Sequence, residues 1–247
     1  MTINARVAIL VVASMSCAAP MEASGKAGTI TYQNLVPGGI AIGGVTSRVD
    51  GPTSQPGSRE AMALAFEEAL RAARADIPLM GADRVRSAVG EEIHESMLAQ
   101  FQLKGELAVA TLDSIRAALG DSVRYLVVAR VEMDDEAHDT TERDTDFDLR
   151  TDNSETFKVS VRTVNVGFRV YDLHDGKLAW KFRPVDSEVN EARVPESSTI
   201  FSPKTVLGLL EIASDENKAP YPSMPGVSRN LASIFDKFTR ALPKRKK

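Results

Sequence analysis

The sequence contains a single cysteine, Cys17, and this count limits how the chain can hold its fold. No disulfide can form within the chain, so its stability has to come from a buried apolar core. With 247 residues, 43% of them hydrophobic and 26% charged, the chain is long and apolar enough for one such core. The same composition excludes an intrinsically disordered protein, and a net charge of −4 gives no indication of nucleic-acid binding.

The residues before Cys17 predict export across a membrane. Arg6 gives the segment a positive start, residues 7–13 form a short apolar stretch, and small residues follow it. These are the dimensions of a secretory signal peptide, and the stretch is too short to cross a bilayer as a helix. We therefore predict a signal peptide over residues 1–16.

The cysteine itself predicts a lipid anchor. Ser14-Met15-Ser16-Cys17 resembles the lipobox of bacterial lipoproteins, although an aliphatic residue usually stands where Ser14 stands. The resemblance implies a lipoprotein carrying palmitate-type chains on Cys17, and alanine directly after the cysteine favours the periplasmic face of the outer membrane. The alternative is an ordinary cleaved signal, which gives a soluble periplasmic or secreted protein.

The rest of the chain predicts one α/β domain behind a spacer. We expect a flexible lipidated tether over residues 17–37, a domain over 38–242 with an acidic loop insertion at 132–155, and a basic tail at 243–247. Apolar periodicity predicts strands at 40–45, 125–131, 156–171 and 178–182, and helices from residue 58 and at 91–103, 111–119, 202–213 and 227–242. This order predicts a mixed β-sheet with helices packed on it.

Three local features refine this prediction. A short strand is expected at 85–89, and Asp175-Gly176 between two apolar segments predicts a hairpin. Within the long strand, the apolar residues at 157, 159 and 161 share one face, whereas those from 164 to 170 share the other. A change of face predicts a bulge near Arg162 and Thr163.

Several of these stretches carry a family resemblance. They are the glycine-bounded strand and helix at 40–73, the helix and strand from Leu112 to Val131, and the strand 159–170 that runs into Asp175-Gly176 and Trp180. Together they resemble the periplasmic outer-membrane lipoprotein superfamily that includes the curli-secretion lipoprotein and the penicillin-binding-protein activator lipoprotein B. The resemblance covers roughly residues 38–242.

The resemblance implies a non-enzymatic protein that binds an envelope protein partner in envelope or secretion assembly. A secretion-channel subunit of the curli type is the alternative. This sequence differs from such a channel subunit, because a membrane-crossing hairpin needs an apolar band facing lipid. The hairpin available here is joined by residues 132–155, which hold eleven acidic and two basic residues.

The acidic stretch offers one candidate metal site. Asp144, Asp146, Asp148, Asp152 and Glu155 occupy positions 1, 3, 5, 9 and 12 of a twelve-residue loop, as in a calcium-binding EF-hand. Leu149 stands where that loop needs glycine for its turn, so the other interpretation is a solvated loop held open by like charges. A calcium-responsive protein is therefore a further alternative.

No motif for catalysis is present. The chain has no G-x-S-x-G sequence, and His94, His138 and His174 form no ligand pair at metal-binding spacing. We expect His94 on the solvated face of its helix and His138 exposed in the acidic loop. The sequence thus predicts a protein that is not an enzyme and has no cofactor, apart from the calcium alternative.

Overall fold

The computed structural model describes residues 30–55, 57–144, 154–194 and 220–245. In chain order the elements are α1 (Tyr32–Gly38), β1 (Ile40–Ser47), a 3-10 turn (Pro52–Ser54), α2 (Ser58–Ala73), β2 (Leu79–Met80), α3 (Ala82–Val89), α4 (Glu91–Lys104), α5 (Val109–Leu119), β3 (Tyr125–Asp144), β4 (Ser154–Asp172), β5 (Lys177–Phe182), β6 (Val185–Arg193) and α6 (Val227–Ala241). No helix in these ranges is long and apolar enough to cross a membrane.

The strands form one mixed sheet, which confirms the predicted fold class. The order is β2-β1-β3-β4-β5, and β6 pairs with the same edge of β4 beyond the end of β5. β1 is parallel to β2 and β3, and the remaining pairs are antiparallel. Parallel pairing of β1 and β3 requires a long crossover, and α2 to α5 lie within it.

Helices cover both faces of the sheet. α2 and α6 pack on one face, and α3, α4 and α5 pack on the other. β3 supplies both cores by simple alternation, since Val127 and Ala129 face α2 and α6 while Leu126 and Val128 face the other helices. A strand buried on both faces explains why residues 125–131 are almost continuously apolar.

An aromatic cluster fills the core under α2 and α6. The Phe238 ring lies 4.5 Å from that of Phe168, 5.3 Å from that of Phe66 and 5.4 Å from that of Trp180, centroid to centroid. Phe66, Phe168 and Phe238 are fully buried. The terminal helix is therefore an integral part of the core, and its apolar stripe was a correct guide to its packing.

Beyond the helices the sheet continues as an arm, which we define as residues 132–144 of β3, 154–165 of β4, and β6. Glu132 is a bulge, because Val131 pairs with Val166 and Met133 pairs with Asn165. Past this bulge β3 pairs only with β4 among the described residues. The stretch expected as an acidic loop insertion is therefore strand up to Asp144 and again from Ser154.

The bulge predicted near Arg162 and Thr163 is wrong. β4 pairs without interruption with both β3 and β6 through these residues. Its apolar residues do change face, but the strand does not. From Val164 onward, one face of β4 carries the apolar residues that pack beneath α2 and α6, whereas before Val164 the same face carries Arg162 and Ser160.

Two further expectations need correction. Residues 85–89 belong to helix α3 rather than to a strand, since Val85 and Val89 pack together with α4 and α5. The tether expected over 17–37 overlaps α1, whose Leu35 is fully buried.

The sequence showed no signal for β6, while the helix expected at 202–213 lies outside the described residues. The Asp175-Gly176 hairpin is confirmed, with Gly176 at φ 63°.

Candidate functional site

The arm is held by a segment of chain that crosses one of its faces. This segment, residues 220–226, leads into α6 and is called the strap below. Ser160 donates its hydroxyl proton to the Pro222 carbonyl at 2.7 Å, and Asn190 donates to the Ser223 carbonyl at 2.7 Å. The strap thus replaces the helices as the cover of this face, and hydrogen bonds fix it to β4 and β6.

A buried ion pair lies at the centre of the covered face. Arg162 donates from Nε and Nη2 to the two carboxylate oxygens of Asp134, at 2.7 and 2.9 Å, and from Nη1 to the Pro225 carbonyl at 3.2 Å. The Asp134 side chain is 1% exposed and that of Arg162 is 6% exposed. Asp134 raises the pKa of Arg162 by accepting these bonds, with burial acting against it. The pair ties β3, β4 and the strap together.

The histidine in the arm belongs to the same network. His138 Nδ1 lies 2.9 Å from the Ser160 hydroxyl oxygen, and the His138 ring packs on that of Tyr221 at 4.8 Å. Because Ser160 gives its proton to Pro222, His138 Nδ1 donates to Ser160. This geometry is the reverse of a base activating a nucleophile, so the His138–Ser160 pair is structural. His138 is exposed, as its sequence context predicted.

A second polar network joins the start of the arm to α4. Arg130 donates to the carbonyls of Phe101 and Gln102 at the end of α4, at 3.2 and 3.1 Å, and to Glu132 at 3.1 Å. A cation at a helix C-terminus is favourable because the last carbonyls have no partners within the helix. Glu132 lies two residues after Arg130 and so on the same face of β3, and their ion pair anchors the start of the arm on the helical layer.

Two glycines leave the room that this network needs. A Cβ at Gly105 would lie 2.5 Å from Arg130 Nη2, and one at Gly167 would lie 2.5 Å from a Glu132 carboxylate oxygen. Gly105 also has φ 69°, in the left-handed region that glycine adopts most easily. A side chain at either position would therefore force Arg130 or Glu132 to move.

A cleft of about 270 Å³ opens at the carboxyl end of β1, between α2, α3 and α4. This is the end at which α/β sheets commonly bind ligands. Its lining includes Arg59, Glu60 and Glu67 of α2, Asp83 and Arg86 of α3, and His94 and Leu98 of α4. The charges largely pair across the cleft, since Arg59 lies 3.5 Å from Glu95 and Arg86 lies 3.8 Å from both Glu60 and Glu91.

His94 contradicts the expectation that it faces solvent. It is 2% exposed, and its Nε2 lies 2.9 Å from the carbonyl of Gly43. A carbonyl only accepts, so Nε2 carries the proton and Nδ1 is the unprotonated nitrogen. Nδ1 has no hydrogen-bond partner among the described residues. A register shift between Ile42 and Gly44 explains the contact, because it leaves the Gly43 carbonyl out of the strand ladder.

Burial lowers the pKa of His94, while the bond to Gly43 acts in the opposite direction. The imidazole is therefore neutral at pH 7. No group of three His, Cys, Asp or Glu side chains that could hold a metal occurs within the described ranges. The sequence had no signal for the burial of His94, because the strand irregularity that binds it lies 51 residues earlier.

The predicted calcium loop lies mostly outside the described residues. Asp146, Asp148 and Asp152 fall in the range 145–153, and the structure describes the backbone of Asp144 as the end of β3. Glu155 forms an ion pair with Arg193 across the sheet. Calcium binding by this loop stays a prediction, as does lipidation of Cys17, which precedes the described residues.

The chain matches no protein-family model and no curated protein sequence. Distant similarities to solved structures exist. A lipoprotein from Neisseria meningitidis is 12% identical with a TM-score of 0.34, the match covering 74% of this chain and 100% of that one. The PelC dodecamer from Paraburkholderia phytofirmans is 12% identical with a TM-score of 0.37, covering 89% and 96%. The LpoB C-terminal domain from Salmonella enterica is 8% identical with a TM-score of 0.33, covering 63% and 87%.

Proposed function

We propose that the chain is a non-enzymatic lipoprotein of the periplasmic face of the outer membrane, which binds an envelope protein partner through its arm. The arm carries this proposal. β3 is 20 residues long, which at about 3.3 Å per residue makes a strand on the order of 65 Å, and much of it extends past the helices.

The open edge of the arm suits a protein partner. From Met133 to Asp144, β3 has β4 on one side and no strand on the other among the described residues. An open edge presents backbone donors and acceptors that an extended segment of another chain can pair with. The rigid support described above, with Arg162 and the strap behind it, keeps this edge in one conformation and lowers the entropic cost of binding.

The lipid anchor follows from the Cys17 context, and it is tested separately. Labelling with [³H]palmitate, with and without globomycin, is compared between the wild type and Cys17→Ala. We expect label on the wild type alone, with accumulation of the precursor in globomycin. Absence of label on the wild type would contradict the anchor and leave the soluble periplasmic alternative.

The arm is tested by photo-crosslinking in intact cells. A photoreactive residue replaces Ala137 on the arm, and the matched control replaces Ala117 on α5, which is also an exposed alanine. We expect position 137 to give a discrete crosslinked protein that position 117 does not give. The same pattern at both positions would contradict the arm as the binding surface.

A secretion-channel subunit is the second candidate function, on the resemblance to the curli type. Negative-stain images of the detergent-extracted protein distinguish the two. Rings would favour the channel, whereas single particles would favour the partner-binding lipoprotein.

A further inference from the structure

The end of the sheet opposite the arm brings together two segments that are far apart in sequence. We call this end the base, where Ile40, Tyr125 and Asp172 lie side by side in the sheet. A groove of about 580 Å³ at the base is lined by residues 30–33 and 243–245. The point where the chain enters the fold thus lies against the basic tail that follows α6.

We propose that the base is a membrane-facing surface on which Lys244 and Arg245 bind anionic phospholipid headgroups, so that the arm points away from the bilayer. The lipid anchor at Cys17 is part of the proposed function, and the orientation of the lipidated protein depends on it. The affinity of the base for anionic lipid is a property of the folded chain and does not depend on lipidation.

The segment after α6 is strongly basic. The sequence Lys-Arg-Lys-Lys at 244–247 places four positive charges in a row. Lys244 and Arg245 are exposed, and neither forms an ion pair within the described part of the chain. Basic clusters of this size beside a membrane bind anionic lipid.

Two acidic groups near the base, Asp76 and Asp172, have cations of their own and so neutralise little of this cluster. Arg74 donates to both carboxylate oxygens of Asp76, at 2.9 and 3.0 Å, and these bonds lower the pKa of Asp76. Arg124 donates to Asp172 at 2.9 Å. The stretch between Cys17 and Ile30 holds one acid, Glu22, and one base, Lys26, so its net charge is zero.

The anchor position is close in sequence to the base. Cys17 lies 13 positions before Ile30, and a random coil of 13 residues spans about 20 Å on average. An anchor at Cys17 would therefore hold the base close to the bilayer. The tip of β3, some 65 Å away along the strand, would lie many Debye lengths from the surface, since one is about 8 Å at physiological salt.

The acidic stretch strengthens this orientation. Residues 132–155 hold eleven acids and two bases, and their described part belongs to the arm. The two ends of the molecule thus carry opposite charge, with the basic cluster at the end where the anchor enters. An anionic surface attracts the base and repels the arm, which leaves the open edge of β3 accessible to a partner.

The test uses the full chain from residue 17 with Cys17→Ser, so that no acyl chain contributes. Co-sedimentation is measured with vesicles of pure phosphatidylcholine and with vesicles of phosphatidylcholine and phosphatidylglycerol at a 3:1 ratio. We expect binding to the anionic vesicles in 50 mM salt and its loss in 300 mM salt. Equal binding to both compositions, or no binding to either, would overturn the proposal.

The site is tested by two double variants of equal charge change. Lys244→Gln with Arg245→Gln removes two charges at the base, and Arg48→Gln with Arg229→Gln removes two exposed charges toward the arm end. A basic residue at an anionic surface strengthens binding about fivefold, so the first variant should bind about 25-fold more weakly. The second should change binding less than about twofold, at a distance beyond the Debye length. Equal losses in both variants would overturn the assignment to the base.

The outcome is independent of the lipid anchor. If Cys17 carries no palmitate label and the protein still binds anionic vesicles, the base is a lipid-binding surface of a soluble protein. If palmitate labels Cys17 and the vesicles do not bind, the anchor stands and the base proposal is wrong.

Discussion

β3 and β4 pass through two environments, and the contrast between them explains most of this molecule. Under the helices both strands are buried on both faces, mostly against apolar side chains. In the arm the same strands are covered on one face by the strap, through Arg162, Ser160 and Asn190. Apolar burial is not directional, and it stabilises the part of the sheet that the helices cover. The arm depends on a few hydrogen bonds and ion pairs, which are directional and hold the strap in place on the strands.

This contrast predicts where the chain loses stability and where it loses only local order. A substitution in the apolar core should lower the free energy of unfolding of the whole domain. A substitution in the arm should open the arm and leave the core folded, because local opening requires only the loss of local contacts.

The largest expected effect is that of Phe238→Ala. The ring is fully buried and packs on Phe66, Phe168 and Trp180, so its removal leaves a cavity in the aromatic cluster. We expect the free energy of unfolding to fall by about 3–5 kcal/mol in urea denaturation. Leu103→Ala is the control, since Leu103 is 79% exposed and should change stability by less than about 0.5 kcal/mol. Equal effects would contradict the assignment of α6 to the core.

Asp134→Ala should open the arm. The variant leaves Arg162 buried without its main carboxylate, although Glu136 remains 3.0 Å from one guanidinium nitrogen. We expect a local cost of about 2–3 kcal/mol, seen as lost protection of the arm and strap in hydrogen exchange. Asp135→Ala is the control, because Asp135 is exposed on the other face of the same strand. Loss of protection in the helix-covered core as well would show that the arm and the core do not open separately.

Gly105→Ala tests the junction between the two regions. The added Cβ meets Arg130 and the residue has φ 69°, so we expect a loss of about 1–3 kcal/mol. Gly57→Ala separates the two causes, since Gly57 has φ 80° with no atom within 4 Å of the Cβ position. The clash with Arg130 should make Gly105→Ala the more destabilising of the two in thermal unfolding. Equal losses would show that Arg130 adjusts at no cost.

The smallest effect is the pH dependence due to His94. Burial lowers its pKa below the ordinary 6.5 in the folded chain. The unfolded chain then binds a proton near pH 6.5, whereas the folded chain binds it only at lower pH. The stabilisation of the folded chain by neutral His94 is therefore complete above pH 6.5 and is lost as the pH falls through the folded pKa. Urea denaturation between pH 7.5 and 5 should therefore show a steeper loss in the wild type than in His94→Gln. The glutamine amide can still donate to Gly43. Parallel curves would contradict the buried neutral imidazole.

The periodic elements of the core were predictable because their patterns follow from burial. The stripe from Val227 to Leu242 and the run from Tyr125 to Val131 each match the cover that the structure gives them. Residues 85–89 were predicted wrongly because so short a segment shows no clear period, and its buried Val85 and Val89 are four residues apart, which fits a helix. β6 was missed because most of its residues are only partly buried and it has no apolar face of its own.

The candidate site was less predictable than the core. The acidic composition of residues 132–155 indicated a solvated region, but a long strand can also be polar when one face is open and the other is covered by polar groups. The partners of Asp134 and His94 lie 28 and 51 residues away, so no local pattern could identify them. The sequence shows that the apolar residues of β4 change face. The cause is tertiary, because helices cover one part of this strand and the strap covers the other.

By itself, the sequence determined the mixed α/β class, the apolar helices and strands of the core, and the expectation of an anchor at Cys17. These depend on composition, on periodicity and on neighbours in the chain. The tertiary structure decided that the acidic region extends the sheet as an arm, that Asp134 and His94 are buried, and that the basic residues meet the start of the fold at the base. Each of these arises where segments distant in sequence share one surface, and the free energy of such a contact depends on geometry that only the folded chain provides.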